Sequence, residues 1–169
     1  MDGNLLLLAE LSVGLAGFSS VVVVFRKQAS PGSWTPENAY RFRIMLESSL
    51  AGGFFSILPG AISGLGINSN GLWSLVSGAL LLYLSFDLFR RTRMIRGFRA
   101  NLRLTFTILA FIVVAISVQI LNIGNLLIPH GVGPYLFGVS WLVVNSGLMF
   151  YILVFSPASS DEIDDSTAT

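Results

Sequence analysis

Apolar residues gather in five long runs along this chain, at 4–25, 42–62, 71–89, 103–123 and 134–155, and the polar residues collect between them. A helix needs about 20 predominantly apolar residues to cross the hydrocarbon core of a bilayer, so each run predicts one membrane-spanning helix. Between the first two runs, Ser33-Trp34-Thr35-Pro36-Glu37 is a helix-start signal. Thr35 is placed to be the N-cap, Pro36 the first helical residue and Glu37 a first-turn acid. The second helix is therefore expected to begin in water at Pro36 and to enter the membrane near Phe42. Pro59-Gly60 and the turn-rich stretch from Ser63 to Gly71 end it. The expected fold is all-α: an integral membrane bundle of five transmembrane helices in a single domain, residues 1–155. The polar, acidic tail at 156–169 has the composition of a disordered cytoplasmic segment.

Charge placement then orients the bundle. The chain has 10 Lys and Arg residues: Arg26, Lys27, Arg41, Arg43, Arg90, Arg91, Arg93, Arg96, Arg99 and Arg103. With five spans all of them fall on one side, and the segments 63–70 and 124–133 carry none. Basic residues near span ends mark the cytoplasmic side, so the N-terminus is expected outside and the C-terminus inside. The leader Met1-Asp2-Gly3-Asn4 is acidic, and its first basic pair follows the apolar run. That order differs from a cleaved signal, which has a basic start, and predicts a retained first helix.

Composition narrows the function classes. Only 11% of the residues are charged and 53% are hydrophobic, against roughly 25% charged in soluble domains. A net charge of +1 gives no electrostatic footprint for nucleic acid. The absence of cysteine excludes disulfides, thiolate chemistry and Cys-ligated metal, and a single histidine argues against a His-rich metal site. No Ser–His pairing can be drawn from the spacing. Gly64-Leu65-Gly66 follows no strand and reads as a turn, and Gly131-Val132-Gly133-Pro134-Tyr135 lacks the pore helix of an ion filter. A non-enzymatic protein without a cofactor is expected.

The chemistry that remains lies in polar residues placed where lipid makes them costly. Glu10 sits about 8 Å inside the first span at 1.5 Å per residue, with Gly14 and Gly17 one and two turns on. Ser12, Ala16, Ser19 and Ser20 lie on the adjoining face. Small residues at this spacing let a second helix approach closely. No Lys or Arg exists at that end, so the candidate neighbours of Glu10 are Gln119, Asn122, Asn125 and His130. An acid in this setting either locks helix packing or marks an ion path, with Asn145 as a second mid-membrane polar group. Arg43 and Glu47 are spaced for a pair along one helix, as are Asp87 and the pair Arg90-Arg91. Arg41, Arg43, Glu47, Asp87 and Arg90 are expected to form one cytoplasmic network if spans two and three are neighbours. Arg96, Arg99 and Arg103 form one face of a segment suited to anionic lipid headgroups, and Arg93 is a further headgroup candidate. Gly52, Gly53, Ser56, Ser146 and Gly147 add small-residue faces that favour association of copies.

The stretches AELSVGLAGFSSVVVVFR and WTPENAYRFRIMLESSLAGGFFSILPG resemble a group of small bacterial multi-spanning inner-membrane proteins with no assigned activity. The shared positions are Glu10, Gly17, Phe18, Ser19, Trp34, Arg41, Arg43, Glu47 and Ser49, all in the first sixty residues. The resemblance implies a bacterial plasma-membrane location and brings no substrate, cofactor or reaction. The expected function is thus an oligomeric scaffold or accessory subunit that touches anionic lipid or a cytoplasmic protein partner through its arginine loop. The competing expectation is an oligomeric ion or proton channel or transporter using Glu10.

Overall fold

A computed structural model describes residues 3–29, 35–95, 102–125 and 131–155. It contains five helices: α1 (Gly3–Ala29), α2 (Pro36–Ser63), α3 (Ser69–Ile95), α4 (Leu102–Gly124) and α5 (Val132–Phe155). All five include a segment long and apolar enough to cross a membrane, so the chain is an all-α, multi-span membrane bundle. Each helix runs a little beyond its apolar run, because in water and in lipid alike the backbone groups at the ends still need partners. At the start of α2 that partner is Thr35, whose Oγ1 accepts from the Asn38 amide at 3.2 Å ahead of Pro36.

Helices α2 and α5 form the centre. They pack against each other most extensively, α1 lies across both, and α3 and α4 form the opposite wall. Among the described residues α1 touches neither α3 nor α4. Cross-helix bonds fix the directions: Tyr135 meets Phe55 while Ser146 meets Met45, so α5 runs antiparallel to α2. The apolar core between the walls includes Met45, Val76, Leu80, Leu84, Ile112 and Val139, each without measurable exposure.

Small residues decide how closely α1 and α2 approach. The Ser49 hydroxyl donates to the Ser12 carbonyl at 2.5 Å, and a Cβ on Gly52 would lie 2.9 Å from Ser12 Oγ. Gly52, Gly53, Ser56 and Ser146 are all buried inside the chain. They are consumed by the bundle itself and are not free for the association of copies that their spacing suggested.

Candidate functional site

At the basic end of the bundle the spacing of charges along α2 and α3 turns into a network that runs from surface to core. Arg43 and Glu47, one turn apart, share a helix face and meet at 2.7 Å, Nε to Oε1. The second carboxylate oxygen of Glu47 takes Arg90 Nη2 from α3. Asp87 accepts from Arg90 at 3.4 Å and from Arg91 Nε at 2.7 Å. Arg91 Nη1 then donates to Asn145 Oδ1 on α5 at 3.3 Å. Asn145 Nδ2 donates to Ser48 Oγ on α2 at 2.8 Å, which closes the set.

Exposure falls steadily along this path. The Arg43 side chain is 70% exposed, whereas those of Asp87 and Arg91 are only 6% and 7% exposed. Asp87 is near the basic end of α3. It lies inside, because the cations three and four positions on, Arg90 and Arg91, satisfy it within the bundle. Desolvating two charges costs several kcal/mol each, and the pair is tolerable only when the geometry and the remaining hydrogen bonds are good. The network meets that condition except at Arg90 Nε, a buried donor without an acceptor.

A second polar layer lies at the other end. Gln119 Nε2 donates to the Pro134 carbonyl at 2.8 Å, and Asn122 Nδ2 donates to Ser77 Oγ at 2.8 Å. The Asn122 side-chain oxygen accepts from the Gly131 amide at 3.2 Å. Gln119 and Asn122 therefore join α4 to the start of α5 and to α3. Tyr135, Val139 and Leu142 on α5 and Leu80 and Leu84 on α3 are fully buried between the layers. Asn145 and Tyr135 are about 15 Å apart along their helix, and packed hydrocarbon fills that interval.

Glu10 belongs to neither layer. It is exposed on the outer face of α1, and among the described residues it has no hydrogen-bond or ion-pair partner. Gln119 and Asn122 were expected as its neighbours, but among the described residues α4 does not touch α1, and the amide nitrogens of both donate elsewhere. The sequence placed Ser12, Ala16 and Ser19 beside Glu10 on one packing face. The structure splits that face: these three are buried against the bundle, and Glu10, Gly14 and Gly17 look outward.

The other charged candidates separate in the same way. Arg41 pairs with Glu37 at 2.5 Å along α2. Arg93 stacks over the Phe89 ring, its guanidinium carbon 4.3 Å from the centroid. Arg103 lies in the first turn of α4. Arg96, Arg99, His130 and the acidic tail fall outside the described residues. Sequence reasoning paired Arg91 with Asp87 but did not carry the network on through Arg91 to Asn145 and Ser48. The links to Asn145 and Ser48 join helices far apart in the chain, and nothing local marks them. Among the described residues no group of three or more His, Asp or Glu side chains is placed to hold a metal.

The arrangement can therefore do two physical things. It ties three helices together at the basic end through buried charge, and it presents one uncompensated carboxylate to whatever covers α1. Comparison of the chain with protein-family models, with curated proteins and with solved structures found no match. What the molecule is follows from its own geometry: a small, five-helix, multi-span membrane protein with an internal ionic network.

Proposed function

We propose that the protein is a non-enzymatic membrane scaffold or accessory subunit that works as a homo-oligomer. In this reading it sits in a bacterial plasma membrane with its N-terminus outside. The one-sided distribution of Lys and Arg supports that orientation, and the arginine-rich end then faces cytoplasmic partners and anionic lipid.

The observation that carries the proposal is the outer face of α1. Glu10 is exposed there, and a Cβ built on Gly14 or Gly17 would meet nothing within 4 Å. A carboxylate facing lipid is expensive, and intramembrane acids almost always face other protein or a water-filled cavity. Glycines one and two turns away allow a second α1 to come close enough to hydrogen-bond it. A copy of the same helix satisfies both conditions at once.

A second reading draws on the same observation. If copies meet at Glu10, a proton or cation path would run between subunits and not through the bundle, whose two polar layers are separated by packed hydrocarbon. The chain has no cysteine, so Gly14→Cys gives a clean crosslinking site in native membranes. Crosslinked dimer together with proteoliposomes that pass no ions supports the scaffold. Crosslinked dimer with proton flux that Glu10→Gln abolishes supports the conductor. Monomer alone in native membranes removes both.

A further inference from the structure

Glu10 shares the outer face of α1 with Leu6, Val13, Gly14 and Gly17, all exposed. Along α1 the next charged residues are Arg26 and Lys27, about 24 Å away at 1.5 Å per residue. Among the described residues α1 packs on α2 and α5. Ser12 lies beside Ser49 and Gly52, and Phe18 meets Phe150. The Glu10 end of α1 therefore runs along the last part of α2, residues 53–63, and the first part of α5, residues 132–141. The α2 stretch has no titratable side chain. The α5 stretch has Tyr135, whose hydroxyl is buried and given to the Phe55 carbonyl. Among the described residues, then, the chain brings no counter-charge to Glu10.

A second copy brings none either. Copies inserted in one membrane share one orientation, so a pair closed on the α1 face has its two-fold axis along the membrane normal. Such a contact is isologous, and a residue on the axis meets itself. Glu10 meets Glu10 of the second copy at the same depth, and the glycines one and two turns on bring the two backbones close. Two carboxylates in contact, away from water and from any cation, do not both ionise. One proton held between them replaces the repulsion with a short O–H···O hydrogen bond of the strong, charge-assisted kind.

We infer, resting on the reading that copies meet through α1, that this assembly is proton-linked: two copies close on Glu10 by taking up one proton that their carboxyl groups share. The proton comes from water on the Glu10 side of the membrane and returns there when the pair parts. Acid on that side drives the copies together and alkali releases them.

The test is Förster transfer between full-length copies in liposomes, with the same pH on both faces, stepped from alkaline to acid. Dyes insensitive to pH are attached at Ser69→Cys, an exposed position at the start of α3. Where one proton is taken up, the dimerisation constant is expected to rise about tenfold per pH unit. Glu10→Gln, whose amide brings its own hydrogens, is expected to pair at every pH, and Gly14→Leu, which blocks close approach, to lower transfer at every pH. Wild-type transfer that does not change with pH leaves the α1 contact standing and overturns the proton link. So does an acid response that persists in Glu10→Gln, or transfer that follows sodium concentration at fixed pH. No transfer at any pH, or transfer that Gly14→Leu leaves intact, overturns the α1 contact itself and the link with it.

Discussion

The Tyr135 hydroxyl on α5 donates a 2.6 Å hydrogen bond to the Phe55 carbonyl on α2, and Phe55 is four residues before Pro59, which lies inside the same helix. Proline has no N–H to give to the carbonyl one turn back. In a membrane that orphaned acceptor has no water to turn to. Tyr135, fully buried, supplies the missing donor from the neighbouring helix, so the proline in α2 and the tyrosine in α5 are one structural unit.

This pairing predicts non-additivity. Tyr135→Phe is expected to cost about 1 kcal/mol, the usual worth of such a bond and near the upper part of the range seen between membrane helices. Restoring the backbone donor with Pro59→Ala should make the same tyrosine change markedly cheaper. Unfolding of all four variants in mixed detergent and SDS, treated as a double-mutant cycle, measures the coupling. Equal cost in both backgrounds would show that Tyr135 matters only for its ring.

Asp87 and Arg91 should behave as a unit as well. Asp87→Asn leaves the Arg91 guanidinium charged in a nearly dry site, and breaking a buried pair from one side costs about 3–5 kcal/mol. The double variant Asp87→Leu with Arg91→Met removes both charges and is expected to recover much of that loss. Arg43→Ala, at the exposed end of the same network, should cost no more than about 1 kcal/mol. Thermal unfolding in detergent ranks the three.

Gly138 tests the packing at the opposite layer. A Cβ there would lie 2.7 Å from Gln119 Nε2 and 2.8 Å from Leu80 Cδ2. Both side chains are fully buried, and Gln119 is held to the Pro134 carbonyl, so neither can simply swing away. Gly138→Ala is expected to cost about 1–3 kcal/mol through overpacking. The same substitution at Gly147, which has open space around it, should be close to neutral, and the contrast is read in one set of melting curves.

The outer face of α1 predicts a variant that separates folding from assembly. Gly14→Leu meets nothing inside the chain, so the monomer's unfolding midpoint should stay put. Its bulk blocks close approach of a second α1, so crosslinking between copies through Phe18→Cys in native membranes should fall several-fold. A drop in the midpoint would mean that Gly14 serves the monomer.

Residue order alone determined the number of helices, because crossing hydrocarbon demands about 20 apolar residues and five runs meet that length. It also determined the start of α2, since Thr35-Pro36-Glu37 is a local signal whose partners lie within one turn. The pairs Arg43–Glu47 and Asp87–Arg90 were legible for the same reason: their spacing is set by the helix itself. Tertiary structure decided everything that depends on which helix sits beside which. It turned Glu10 outward and Ser12 inward on one helix whose sequence shows small residues on both sides. It gave Asn145, which the sequence presents only as a polar interruption, to Arg91 and Ser48. It used the glycines of α2 within the chain. Helix faces in lipid carry no strong polarity contrast, because the tails outside are as apolar as the core. The rotation of each span is therefore set by cross-helix packing and hydrogen bonds between residues distant in the chain, and those contacts come into being only when the bundle closes.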